Sequence, residues 1–476
     1  MSDSIQRPDA AGLVVGIRHH KRGTVTDAER HARAVFVQLA CAAVLASTIL
    51  FNPFLALINA SVMPVPQSWV EMLQGMIVIA AFAIGALNLT SPPYFWIAAT
   101  WWLLMGAIAI AALRAQLNPK DLGDLFLVPA MIILGMRMSA TTLIRIVLAM
   151  QMLILLVGIW ELADPAGFGS TFKVASYYVN SRGFSPDQFW AGGDLYISAE
   201  RPHGRFLLAG TGLHRGSSLF LEPVSLGNWA IVITIWTAAL WRQLGRNMRA
   251  FMIASNMALL VICDGRLGLA VCLVLVAFLP LARRLPGWIS AFYLPAFLAG
   301  LWTAVGVGLL TDVGDTFAGR LRYGLNALGL LDVPRMLGIS TERISFEDAG
   351  WASFIQSQSV MVAIVLWLIV TLTNIGDDAG GRMAKHGIAL FLVLSLPVSN
   401  GIFSIKTAGL MWVCYGFCYA RAQRRVRMEN AGTSNERVLQ GGPDMTPGPA
   451  LLRPDAMAGY ARDRSGRNVA EADNVH

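Results

Sequence analysis

Between Arg201 and Gly227 runs a basic, glycine-punctuated stretch, RPHGRFLLAGTGLHRGSSLFLEPVSLG, that carries Arg201, Arg205, Arg215, His203 and His214. A guanidinium presents a planar fork that suits two phosphate oxygens at once. A membrane boundary lowers the dielectric and strengthens such contacts. Arg201, Arg205 and Arg215 in this arrangement could clamp a pyrophosphate and stabilise charge developing on it as it leaves. The same arginines would equally serve to anchor to phospholipid headgroups or to snorkel from helix ends. Imidazole is the usual general base near neutral pH, so His203 or His214 could take a proton from an attacking hydroxyl, or simply hydrogen-bond at a surface. Glu222, just before Pro223, is a rival base, or else a carboxylate favoured by the positive end of a helix.

Further charges stand outside this stretch. Asp264 and Arg266 interrupt an apolar run with a turn-like Asp-Gly-Arg, marking either a boundary or a polar cavity. Arg320 and Arg322, next to Tyr323, offer more phosphate or sugar contacts, and Asp348 is a second acid or base candidate or a helix cap. Tyr177, Tyr178, Phe184, Phe189, Trp190 and Tyr196 suit the apolar face of a sugar ring, and suit an interfacial belt as well. There is no Walker A loop, HExxH, paired CxxC or dinucleotide fingerprint, so no cofactor and no metal is expected. The five cysteines all lie inside apolar segments and read as small core residues.

The elements that must hold these residues are membrane helices. Hydrophobic residues make up 55% of the chain and charged ones 14%, with a mean hydropathy of +0.56, far from the balance of a soluble domain. The expected class is an all-α polytopic integral membrane protein. Windows of about 19 residues predict twelve helices near 34–58, 69–89, 94–113, 122–136, 140–161, 223–241, 248–263, 267–282, 287–310, 352–373, 384–398 and 402–420. The short connections holding Arg137, Arg145, Arg242, Arg246, Arg249, Arg283, Arg284, Arg382, Lys385 and the run from Arg421 define the cytoplasmic side by the positive-inside rule. Both termini then face the cytoplasm, and both larger loops, 162–222 and 311–351, face out. On this layout residues 1–33 form a cytoplasmic segment without a signal-peptide pattern, 34–420 the membrane domain, and 421–476 a disordered cytoplasmic tail. The net charge of +8 reads as topology and not as nucleic-acid binding. No internal repeat and no matching pair of broken helices is apparent, which argues against an inverted-repeat transporter.

On these residues the chain resembles the Wzy-like polysaccharide polymerases and O-antigen ligases. The resemblance rests on the multi-span layout with a dominant outer loop, RGSSLFLEP at 215–223, DGRLGL at 264–269 and DAGWAS at 348–353. Arg201 to Gly212 and Arg205 to Gly216 also match the Arg-x10-Gly pattern common in the polymerases; loop 311–351 has no such match, and no ligase-type histidine motif is found. The resemblance implies a GT-C-like fold and a metal-independent glycosyltransferase acting on undecaprenyl-pyrophosphate-linked oligosaccharides at the periplasmic face of the bacterial inner membrane. It implies an exopolysaccharide or O-antigen repeat-unit polymerase in which Arg215, Arg201 and Arg205 would bind the donor pyrophosphate, with Arg266 and Arg320 behind them. Together with the residue reading above, Arg215, His214 and Glu222 are the expected catalytic residues, and Arg201, Arg205, His203, Arg266, Arg320, Arg322 and Asp348 the expected substrate-binding ones. Membrane lipids, a chain-length regulator and a flippase would be its partners. A ligase is the close alternative, and a secondary transporter or flippase of lipid-linked sugars the alternative of another class.

Overall fold

The computed structural model describes residues 27–86, 94–185, 189, 193–199, 204–311, 316–346, 349–399 and 401–440 of the 476-residue chain. Among them there are helices and no strand. They run in order α1 (Asp27–Ser61), α2 (Gln67–Ala86), α3 (Tyr94–Arg114), α4 (Pro119–Arg137), α5 (Ala140–Ala163), α6 (Pro165–Phe172), α7 (Val174–Arg182), α8 (Pro223–Ala239), α9 (Arg246–Cys263), α10 (Arg266–Ala282), α11 (Tyr293–Gly306), α12 (Phe317–Gly329), α13 (Val333–Met336), α14 (Gly350–Gln358), α15 (Val360–Leu372), α16 (Ala379–Ser395) and α17 (Ile405–Gln440). Two compact units divide at Arg424, and the helical bundle with all the packing and sites below belongs to the first.

Local chemistry starts these helices where the chain supplies it. Asn118 and Ser139 cap α4 and α5 by accepting from Lys120 N and Thr142 N, and Pro119 sits at the first helical position of α4. Asp164 caps α6 ahead of Pro165, Asp378 caps α16, and Pro223 opens α8. α1, α2, α3, α5 and the segment Gly287–Gly306 are long and apolar enough to cross a membrane. α14 and α15 together would make a sixth, but they meet at a 111° bend.

Three expectations change. The window 352–373 is not one straight helix: Ser359 takes φ +97° and breaks it into α14 and α15, so a broken helix is present where none was expected. The loops 162–222 and 311–351 are not featureless, since α6 and α7 lie in the first and α12 and α13 in the second. Short helices with their own caps fall below the reach of a 19-residue hydropathy window. α17 also continues to Gln440, well into the stretch assigned to the tail. Helices occupy all twelve predicted windows, and among the described residues five of them, or six with the bent pair, are by themselves long and apolar enough to cross a membrane.

α8 lies inside the bundle, buried on nearly every side against α9, α10 and α16, as an all-round apolar helix must be. Polar side chains tie it to its neighbours: Trp229 Nε1 donates to Gln151 Oε1 of α5 at 2.8 Å and Asn256 Nδ2 of α9 to Ala230 O at 3.0 Å, while Gln151 Nε2 joins α5 to α9 through Ser255 Oγ at 3.0 Å. In an apolar surrounding such bonds join helices that no hydrophobic force drives together. Glycines set the closest approaches. Gly135 of α4 lies on the backbone of Val413, and Gly416 of α17 lies reciprocally on the backbone of Ile132, with no room at either for a Cβ.

Gly416→Ala should therefore destabilise the protein by about 1–3 kcal/mol, read as a lower unfolding temperature of the detergent-solubilised protein. Gly75→Ala, at a helical position with open space around it, should leave that temperature unchanged or slightly raised. Equal responses would contradict the close α4–α17 crossing.

Candidate functional site

The last carbonyls of any α-helix lack partners within it. In α9 these belong to Val261, Ile262 and Cys263, and the helix ends because Asp264 turns into the left-handed region at φ +45° before α10 begins at Arg266. The loop 204–217 satisfies them. Arg205 donates through Nη2 to Val261 O and Ile262 O, and through Nη1 to His214 O at 2.9 Å. Arg215 donates through Nε to Cys263 O at 3.0 Å and through Nη1 to Ser198 O at 2.9 Å, while Gly216 N reaches Ile262 O at 2.9 Å. Asp264 answers by accepting from Phe206 N at 3.0 Å and Leu207 N at 2.6 Å. Cations at a helix C-terminus are favoured by its dipole, so loop and helix end form one joint.

This geometry corrects the phosphate-clamp expectation for Arg205 and Arg215. Both guanidiniums are buried, Arg215 to 4% exposure, and their forks are turned onto backbone carbonyls. A fork so occupied braces the loop and does not present itself to a ligand.

Beneath the joint lies a carboxylate that the sequence reading did not single out. Glu161, near the end of α5 and 1% exposed, accepts from Ser217 N at 2.7 Å, Ser217 Oγ at 2.9 Å and Ser218 N at 2.6 Å. Ser217 is right-handed and Ser218 left-handed at φ +51°, the succession that turns adjacent amides toward one anion. His214 Nε2 stands 3.8 Å from Glu161 Oε1, buried and with no hydrogen-bond partner among the described residues. That is beyond a direct hydrogen bond, and a small ring rotation or one water would close it. The available signal was the lone acid in the apolar run 140–163, since ionisable residues within such runs face protein or a polar cavity.

A second buried pair flanks the first. Lys406, at the start of α17 and 4% exposed, donates to Glu222 Oε2 at 2.7 Å and to Phe220 O at 3.4 Å, and Ser225 Oγ donates to the same carboxylate at 2.8 Å. Lys406 thus points into a partnered interior instead of snorkelling. Burial alone would raise the Glu222 carboxyl, but Lys406 and Arg182 outweigh it and hold it down at about 2. A carboxylate so stabilised is a poor proton acceptor, which removes the main argument for Glu222 as the base. Arg182 itself lies 4.8 Å over the Tyr178 ring.

Of the remaining expected residues, Arg266 is open. It begins α10, is exposed, and lies 5.7 Å over the ring of Phe206, whose neighbours along the loop, Leu208 and Leu213, are exposed too. Arg320 and Arg322 are carried by α12, which packs on α11 and α14. Arg322 donates to Thr311 O at 2.7 Å, and no described contact brings either arginine to His214, Arg215 or Glu222. Arg201, His203 and Asp348 lie outside the described residues. Among the described non-glycine residues seven have positive φ, and four of them, Leu208, Ser218, Leu221 and Asp264, are at this joint. Strain of this kind gathers at functional sites.

No group of three or more metal-ligating side chains is found among the described residues. Two open clefts lie away from the joint, one lined by Arg242, Arg283 and Arg421 and one by Arg114 and Asp121. Fold and site define an all-helical protein, with helices of membrane-crossing length, that carries a basic, strained loop bolted to a helix end. Neither family models, nor curated proteins, nor solved structures contain a match to this chain.

Glu222→Gln should leave Lys406 buried without its counter-charge, at a cost of about 3–5 kcal/mol. A carboxyl held at about 2, against roughly 4.3 when free, contributes its full stability above the free value and loses it progressively as pH falls from there through 2. The gap in unfolding temperature between wild type and Glu222→Gln should therefore stay constant from pH 7 to pH 5 and shrink as pH falls below about 4.3. A gap that stayed constant through that lower window would show an ordinary carboxyl.

Proposed function

We propose that this protein is a metal-independent glycosyltransferase of the bacterial inner membrane. It joins oligosaccharide repeat units carried on undecaprenyl pyrophosphate, in the manner of the Wzy-like polymerases it resembles. The twelve-span, GT-C-like layout with both termini cytoplasmic and both loops periplasmic is part of this proposal. The observation that carries it is the joint at the α9–α10 turn, which brings together an exposed guanidinium lying over the ring of Phe206 and, where the same loop packs on α5, a buried imidazole–carboxylate pair. Arg266 takes the pyrophosphate, while Phe206, Leu208 and Leu213 lie against the polyprenyl chain. His214 takes the proton of the attacking sugar hydroxyl, and Glu161 stabilises the imidazolium that results. The hydroxyl oxygen forms a bond to the anomeric carbon, the bond from that carbon to pyrophosphate breaks, and the lipid pyrophosphate leaves with the electron pair. Arg205 and Arg215 hold the loop in place.

A carrier of lipid-linked sugars is the second reading, favoured by the 111° break between α14 and α15, because discontinuous helices line substrate sites in transporters. Purified protein in liposomes, given a synthetic undecaprenyl-pyrophosphate repeat unit with EDTA and no nucleotide, separates the two. A product ladder is the expected outcome. His214→Ala and Glu161→Gln should slow it by roughly 10²–10⁴ and 10-fold or more respectively, and Arg266→Ala should raise KM. Arg215→Ala should act through a lower unfolding temperature. Sugar crossing the bilayer without a ladder would replace the enzyme with the carrier.

A further inference from the structure

α8 and α10 each have 17 residues, about 25 Å of helix. The strained joint sits where α8 and α10 begin. Where they end, at the far side of the bundle, lies a cleft of about 80 Å³, several times the roughly 10–15 Å³ that one water requires. Arg242 follows α8, Arg283 follows α10, Arg421 comes from α17, and the first turn of α16 closes the fourth side.

Three cations face one acid here. Arg421 Nη2 pairs with Asp378 Oδ2 at 3.1 Å, and Asp378 also caps α16 through Gly381 N at 3.2 Å. Neither Arg242 nor Arg283 meets a carboxylate among the described residues; the described bond from Arg283 goes from Nε to the weak acceptor Met383 Sδ at 3.4 Å. Gly380 sets the start of α16 directly on the Ala239 carbonyl, leaving no space for a Cβ. The positive end of α16 therefore opens into the cleft beside the two arginines. Gln243 also lines it, and its Oε1 is buried without a donor among the described residues.

From these observations we infer that the cleft binds a phosphate diester that also carries hydroxyl groups, the chemistry of a phosphatidylglycerol headgroup from the surrounding leaflet. Arg242 and Arg283 contact the phosphate oxygens from two helix ends, the first turn of α16 adds its dipole, and a headgroup hydroxyl donates to Gln243. Ordinary positive-inside arginines would be spread along the boundary. Here two exposed arginines without carboxylate partners among the described residues line one open cleft at three helix termini. The cleft shares no residue with the loop 204–222, so it stands or falls separately from the glycosyltransferase reading.

Native mass spectrometry of the purified protein, after equilibration with equimolar phosphatidylglycerol and phosphatidylcholine, tests this. Wild type should retain phosphatidylglycerol several-fold over phosphatidylcholine. Arg242→Glu with Arg283→Glu should abolish the preference, and Arg242→Lys with Arg283→Lys should keep most of it. Equal retention of the two lipids by wild type overturns the proposal whatever the variants do. So does an unchanged preference in the Glu variant at a wild-type unfolding temperature. Tight uptake of soluble glycerol phosphate without lipid preference would overturn the leaflet as the source while keeping the phosphate-ester chemistry.

Discussion

Backbone carbonyls at the end of α9 lack partners within the helix, Val261 O meeting only the cap amide of Asp264 at 3.3 Å, and the site is built around satisfying them. In the interior of a helical bundle an unpaired carbonyl costs as much as a lost hydrogen bond. The chain meets that cost by folding a loop from forty to sixty residues upstream onto the helix end. Arg205 and Arg215 reach Val261, Ile262 and Cys263, and Asp264 holds the amides of Phe206 and Leu207 in return. Once that exchange is made, the positions of His214, Ser217 and Ser218 follow, because they are joined to the braced residues by one or two peptide units.

The buried charges obey the same logic. Glu161 and Lys406 come from helices far apart in the chain and are each almost wholly enclosed. Each is accompanied by the groups that make enclosure tolerable, two amides and a hydroxyl for Glu161 and a carboxylate for Lys406. Removing one member of such a set leaves a desolvated charge, which is far more costly than the set was worth as a gain. This restricts the loop to one conformation and keeps Ser218 and Leu221 in the left-handed region, which their side chains disfavour.

The bundle separates two electrostatic tasks along the length of α8. At its start Arg205 and Arg215 are consumed internally, and Arg266 is exposed. At its end Arg242 and Arg283 have no carboxylate to consume them and line an open cleft. Small residues make the separation rigid: Gly268 lies so near Gly227 that an added Cβ would stand 3.1 Å from its Cα, and α4 and α17 touch backbone to backbone through Gly135 and Gly416.

Composition and apolar run length alone determined that the protein is helical and that its helices are long and apolar enough for a membrane. Those properties are sums over neighbouring residues, and helix hydrogen bonds close within four residues. The stretch around Arg205, His214 and Arg215 and the DGR turn at Asp264 were also legible as polar features, because a polar interval in an apolar chain stands out without any knowledge of contacts. Tertiary structure decided what those residues do. A guanidinium that suits phosphate suits a helix-end carbonyl equally well, and only the meeting of residues 205 and 261 selects between them. Glu161 passed unremarked because its partners lie more than fifty residues away. The break at Ser359 passed unremarked because a backbone torsion leaves no trace in hydropathy. The physical reason is common to all three: local hydrogen bonding and hydrophobicity are written in sequence order, whereas the partner of a buried charge is fixed only when distant segments come together.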